Sequence, residues 1–450
     1  MSQNNTDQKN IKESANASGR GIRGVNLGNW LVLERWMEPE IFRGTDAEDE
    51  TWLNRDLPKA ELEKRLKKHR ETFITEKDFE EIHKLGLNTV RIPVPYFIFG
   101  DFPPYSGCIE YLDRAFDWAE RWDLRILIDL HTTPGNHNGY DNGGLVGVCR
   151  FHKEPRAVAY VLHVLERLAR RYGKRRGLFG IEVLNEPISL PVYLFAPTTG
   201  KARDRKEAKG SGYVPLRFLR KFYKEAYRRL RVYLPEDKAI VFHDGFRLPL
   251  WGRFFERAGM KHVYLDTHQY IWAMEMFLPF HRLWLYWFYV MLEQRMIRRA
   301  ERHVPVIVGE WSNCNRYAAF QRNRRYHDRG TNIWSERVGD LKKKLDEKLP
   351  EDIKVLNSIR EYSQEAARVV AEERRKLQRE IRKSCMAEQR RRFRKVANMQ
   401  LHAWEHAAGW FYWSWKLEPE SGRHTVEFWK ESWDYHRSVR NGWLPKKITK

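Results

Sequence analysis

The sequence predicts an α/β fold, a single (β/α)8 TIM barrel with helical insertions, the largest of them between strands seven and eight. Three observations lead there. Short β-branched runs alternate with amphipathic helical patterns along 450 residues, the signature of a parallel sheet with crossover helices. Eight such strand–helix cycles fit a closed barrel better than an open sheet. The fourth and seventh runs each end in a glutamate, at the barrel face where this fold carries its active sites.

The strands are read at 22–27, 89–94, 125–131, 179–184, 239–243, 262–268, 304–309 and 409–414. Between them, Thr75 and Asp78 form a variant capping box, Phe79, Ile82 and Leu85 follow at helical spacing, and Gly86 stops the helix. From about Ala157 to Tyr172, Val161, Leu162, Val164, Leu165 and Leu168 make an apolar face before Gly173. Residues 1–20 read as a disordered polar tail and 21–450 as one domain. Two stretches interrupt the rhythm. Residues 321–398 carry 23 Lys+Arg against 13 Asp+Glu and read as charged helices, for example Glu361 to Lys395, packed on the barrel. Residues 277–299 are aromatic-rich, with LWLYWFYVML at their heart and Arg295, Arg298 and Arg299 behind it.

At 42% hydrophobic and 14% aromatic, the chain is not disordered throughout. Its 18 tryptophans point to a carbohydrate, nucleobase or membrane-interface role. The 82 Lys+Arg against 60 Asp+Glu leave a net charge of +22. No RNA- or DNA-binding fold accompanies that charge, so nucleic acid is not the expected partner. Cys108, Cys149, Cys314 and Cys385 lack metal or disulfide spacing and read as reduced thiols. The first twenty residues hold no apolar core of a signal peptide, so a cytoplasmic location is expected. The run Leu283 to Leu292 is too short for the ~20 residues of a membrane span. It reads either as a buried barrel helix or roof over the pocket, or as a peripheral contact with an anionic membrane.

Glu186, in Ile181-Glu182-Val183-Leu184-Asn185-Glu186-Pro187, and Glu310, in Val308-Gly309-Glu310-Trp311, face each other across the predicted barrel mouth. Two such carboxylates are what glycoside hydrolysis needs: one protonates the leaving oxygen, the other attacks the anomeric carbon or activates water. His131, His137 and His268 have no spacing that fits one helix face, and a metal site is not expected.

The motifs together resemble glycoside hydrolase family 5, and within it the exo-β-1,3-glucanase-like branch. The resemblance is carried by Gly24-Val25-Asn26-Leu27-Gly28-Asn29-Trp30, Arg91-Ile92-Pro93-Val94, Ile128-Asp129-Leu130-His131, Asn138-Gly139-Tyr140-Asp141-Asn142, His268-Gln269-Tyr270 and Gly409-Trp410-Phe411-Tyr412-Trp413-Ser414-Trp415. It implies a retaining β-glycosidase with Glu186 as acid/base, Glu310 as nucleophile, and no cofactor or metal. It further implies that Arg91 and Tyr270 serve Glu310, that Asn185 meets the sugar 2-OH, and that His131 and His268 bind hydroxyls or hold the acid/base. Glu186 is then expected to have a raised pKa and Glu310 a low one. Trp413, with Trp415 as rival, supplies the sugar platform. Glu34 and Asn142 grip a terminal glucose, and Tyr140, with Trp272 as its partner, clamps the next sugar. The expected substrate is a β-glucan or small β-glucoside. A glucolipid-cleaving enzyme at a membrane surface and a non-catalytic carbohydrate-binding barrel are the alternatives.

Overall fold

Eight strands pair in parallel, each with its neighbour in chain order: β1 (Ile22–Asn26), β2 (Thr89–Val94), β3 (Arg125–Leu130), β4 (Leu178–Glu182), β5 (Ala239–His243), β6 (Val263–Gln269), β7 (Val306–Trp311) and β8 (Gly409–Tyr412). β8 returns to β1, with Ile22 opposite Gly409 and Val25 opposite Tyr412, and closes the barrel. The computed structural model describes residues 21–277, 282–319, 387–417 and 428–445. The polar tail and most of the 321–398 stretch lie outside the described residues. Of that stretch, 387–398 begins a helix over 387–404, whose Phe393, Val396 and Ala397 are buried.

The larger helices are α1 (Glu50–Asp56), α2 (Lys59–Thr72), α3 (Glu76–Lys84), α4 (Ile109–Arg121), α5 (Pro155–Tyr172), α6 (Leu216–Leu230), α7 (Ile271–Phe277) and α8 (Leu283–Ala300). The capping box that opens α3 is present, with the Asp78 carboxylate accepting from the Thr75 N–H at 2.8 Å. In α5, Val161, Leu162, Val164, Leu165 and Leu168 are all buried.

Alternation along each strand divides the core in two. In β3, Ile126, Ile128 and Leu130 face the helices, while Leu127 joins Ile22, Phe179, Val241, Ile307 and Phe411 inside the barrel. Above that plug the same inward positions turn polar. Asp129 and then His131 follow Leu127 at every second residue, so the strand that fills the floor also builds the pocket wall.

Helix α8 is not wholly buried, contrary to the first reading of the aromatic stretch. Tyr286, Val290, Ile297 and Ala300 are buried, while Trp284, Trp287 and Phe288 are exposed. A run apolar on all sides hides this difference, because the sequence does not say how much of a helix its neighbours cover.

Candidate active site

Arg91, fully buried on β2, is the centre around which the pocket is assembled. Its Nε donates to Glu182 of β4 at 2.8 Å. One terminal nitrogen, Nη1, donates to Asn26 of β1 and to Glu310 of β7, both at 2.9 Å. The other, Nη2, donates to Asn185 at 2.9 Å and lies 3.1 Å from Asp129 of β3. A buried guanidinium with several carboxylate partners is well paired, and it fixes the Glu310 oxygen in one place. The Tyr270 hydroxyl donates to the other Glu310 oxygen at 2.7 Å.

Glu310 reaches the pocket through an irregularity in β7. Val308 lies opposite Thr267, but the next partner pair is His268 and Glu310, so Gly309 is the extra residue. Only glycine fits there. A Cβ at Gly309 would stand 2.0 Å from an Asp266 carboxylate oxygen, and the Gly309 N–H donates to Asp266 at 2.6 Å.

Glu186 sits just beyond the end of β4, with a backbone φ of 42°. That left-handed conformation costs a non-glycine residue about 1–3 kcal/mol and is held by the surrounding contacts. His268 Nδ1 lies 2.7 Å from Glu186 Oε1, and Asn142 donates to Oε2 at 3.0 Å. The same His268 nitrogen lies 3.4 Å from Glu310 Oε2. One nitrogen reached by both glutamates brings their nearest oxygens closer than the roughly 6.5–9.5 Å separation of inverting glycosidases.

The electrostatics reverse the expectation for the two acids. Burial pushes Glu186 up, but the hydrogen bond and charge of His268, aided by Asn142, outweigh it and bring the carboxyl down to about 2. Glu310 is raised, by burial and by the Glu186 charge, against the pull of His268 and Arg91. Burial alone would depress His268, yet Glu310, Asp266 and Glu186 raise it well above the usual imidazole value. These directions favour a proton on His268, between the two carboxylates, over one on Glu186.

The remaining expected residues fall around this pair with some reassignment. His131 bonds Asp129 and stacks under Trp413, with ring centres 5.7 Å apart and planes 11° from parallel. Trp413 packs with Met37 and Trp433. Trp415 does not share that face: β8 ends at Tyr412, and the Trp415 indole instead donates to Asp78 of α3 at 2.9 Å. Gly28 gives Trp413 its room, since a Cβ there would lie 2.8 Å from the indole. Glu34 is buried, accepts from the Trp36 indole at 2.8 Å, and is raised well above the usual carboxylate range by burial, then by Asp141 and the two catalytic-site glutamates. Asn142 contacts Glu186 directly. Trp272 packs against Tyr270 and Trp433, and Tyr140 lies across a cleft of ≈ 490 Å³ that it lines with Trp36, Asp141 and Lys201.

Sequence reasoning missed Glu182 and Asp266 as partners of Arg91, and Trp36 and Trp433 in the aromatic wall. A lone acid within an apolar strand, as in LFGIE or VYLDTHQ, was the available signal for the first two. Glu186, His243 and His268 bring three ligand atoms together, all within 4.8 Å. This set does not suit a metal. Gly245 N–H donates to His243 Nδ1 at 2.9 Å, which leaves the proton of the neutral ring on the nitrogen facing His268.

Comparison with known proteins agrees with this architecture. Residues 45–192 match the family model Cellulase (glycosyl hydrolase family 5). The chain is 31% identical to a probable glucan 1,3-β-glucosidase A of Emericella nidulans, over 97% of this chain and 93% of that one. It is 30% identical to a glucan 1,3-β-glucosidase of Kluyveromyces lactis, over 95% and 89%. In fold it is similar to a rutinosidase from Aspergillus niger, with a TM-score of 0.62, 18% identity, and coverage of 94% of this chain and 98% of that one. With a barrel, a paired-glutamate mouth and relatives of this similarity along nearly its whole length, the chain belongs to glycosyl hydrolase family 5.

Proposed function

We propose that the protein is a retaining β-glycosidase that removes glucose from the ends of β-1,3-glucan, its oligosaccharides or small β-glucosides. One observation carries the reading: Glu186 and Glu310 share a single histidine nitrogen, while Arg91 and Tyr270 fix both oxygens of Glu310. Glu310 attacks the anomeric carbon as the glycosidic C–O bond breaks, and the leaving oxygen takes the one proton that passes from His268 through Glu186, which leaves His268 neutral and Glu186 ionised. Water then attacks the glycosyl ester, Glu186 accepts its proton, and Glu310 leaves as carboxylate. In this reading Asn185, held by Arg91, meets the sugar 2-OH, and Trp413 packs on the sugar face. Buried Glu34 beside Asp141 and Trp36 supports a pocket closed at one end, hence action on chain ends.

The test is the stereochemistry of the first product. Proton NMR of early hydrolysis of an aryl β-glucoside is expected to show β-glucose appearing before mutarotation; α-glucose first would overturn the mechanism. A parallel panel of laminari-oligosaccharides and glucolipids assigns the aglycone. A membrane-surface enzyme is the second reading, favoured by the exposed aromatic residues of α8.

The pH profile of kcat/KM follows with its sign fixed. Below the value of Glu310 the nucleophile is protonated and inert; above that of His268 the pocket has lost the proton the leaving group needs. Because both values are raised, the acidic limb lies above 4.5 and the alkaline limb above 6.5. His268→Gln removes the group that depresses Glu186. The alkaline limb then moves down to that of a buried carboxylic acid. A limb unmoved by this substitution would show that the proton does not rest on His268.

A further inference from the structure

Helix α8 has two apolar faces, and the barrel uses one of them. Tyr286, Val290, Ile297 and Ala300 turn inward. On the other side Trp284, Trp287, Phe288 and Leu292 are 66%, 56%, 61% and 47% exposed. At about 100° per residue these four positions fall on one arc of about 140°, opposite the buried set. Arg295, Arg298 and Arg299 continue along the same arc toward the C-terminal end, and all three are exposed. Among the described residues none of the three arginines has an acidic partner. The face is therefore apolar and aromatic over its first half and cationic over its second.

We propose that this face docks the protein on an anionic lipid bilayer, with the helix lying along the surface. Indole rings suit the headgroup region, where the ring is buried among acyl chains and the N–H stays solvated. The unpaired arginines meet lipid phosphates and carboxylates, and the net charge of +22 adds a longer-range attraction. No helix among the described residues is long and apolar enough to cross a membrane, so the contact is peripheral. A second copy of the chain fits the face less well, because it would bring three more arginines to the seam and no acid.

The placement of the helix gives the contact a direction. α7 begins one residue after Tyr270, and the Tyr286 hydroxyl of α8 bonds Glu275 of α7, so the aromatic end of α8 is pinned near the barrel end that holds the pocket. Met276 on α7 and Leu250 on the short helix Leu248–Leu250, two elements that α8 packs against, are exposed as well. Docking there would bring the pocket mouth close to headgroups carrying a sugar. The proposal adds a location to the glycosidase reading and stands or falls separately from it, since vesicle binding and hydrolysis of a soluble glucoside are read independently.

The experiment is co-sedimentation of the full chain with phosphatidylcholine vesicles, with and without phosphatidylserine, at low and physiological salt. Binding is expected only with phosphatidylserine and should fall as salt rises. Trp284→Ser/Trp287→Ser/Phe288→Ser is expected to weaken it about tenfold or more, and Arg295→Ala/Arg298→Ala/Arg299→Ala about a hundredfold. Both variants should keep the parent's rate on a soluble aryl β-glucoside, which shows that they are folded. No sedimentation with phosphatidylserine vesicles at low salt overturns the proposal. So does parental binding by both variants, which would assign the attraction to basic residues elsewhere. A dimer-to-monomer change in light scattering without any change in vesicle binding would assign the face to a second copy instead.

Discussion

Glu310→Ala is expected to lose hydrolysis of every β-glucoside, by on the order of 10⁵-fold or more, the scale at which removal of a nucleophile from a cooperating set is felt. The loss should be nearly independent of the leaving group, because without this carboxylate no glycosyl ester forms on any substrate. The fold should survive. Arg91 keeps Asn26, Glu182, Asn185 and Asp129 as partners, so its charge is not stranded in the core. A cooperative thermal transition close to the parent's, alongside the lost activity, checks both halves. Substantial turnover in this variant would remove Glu310 from the nucleophile's role.

Glu186→Ala should fail in a different pattern. On a disaccharide, whose alkoxide leaves only with a proton, the rate is expected to fall about 10²–10⁴-fold, the usual contribution of a general acid. On a dinitrophenyl glucoside the first step needs little protonation, and release of the sugar from Glu310 becomes limiting. Azide, which attacks without a base, should then restore turnover and yield β-glucosyl azide. Equal losses on all leaving groups, with no azide product, would reassign the carboxylate. Removing Glu186 also takes a charge from beside Glu310 and a partner from His268, so the nucleophile's own pKa should fall.

Much of this site was legible in the sequence because barrel chemistry is written at strand ends. A period of two along β3 sorts Leu127, Asp129 and His131 to one side without any further information. The reading failed where regular alternation stops. Strand alternation makes Trp415 a rival to Trp413, but β8 ends at Tyr412, and the Trp415 indole donates to Asp78 instead. Charge states were equally out of reach. Which of Glu186, Glu310 and His268 holds the proton depends on distances of 2.7 and 3.4 Å set by three different strand ends. The covered and bare faces of α8 were indistinguishable for a similar reason: both are apolar, and only the neighbours decide.

Arg91 has one more consequence, for how the molecule folds. Its partners come from β1, β3, β4 and β7, with Asp266 of β6 4.0 Å away. A half-barrel of the first four strands would assemble Asn26, Asp129 and Glu182 around the guanidinium but would lack Glu310 and Asp266, and would leave the cluster open to water. Full pairing needs β6 and β7 as well, and the cylinder around the guanidinium closes where β8 meets β1. The charged cluster under the pocket is thus shared by nearly the whole cylinder, and a chain that ends before β7 lacks the Glu310 carboxylate that Arg91 holds.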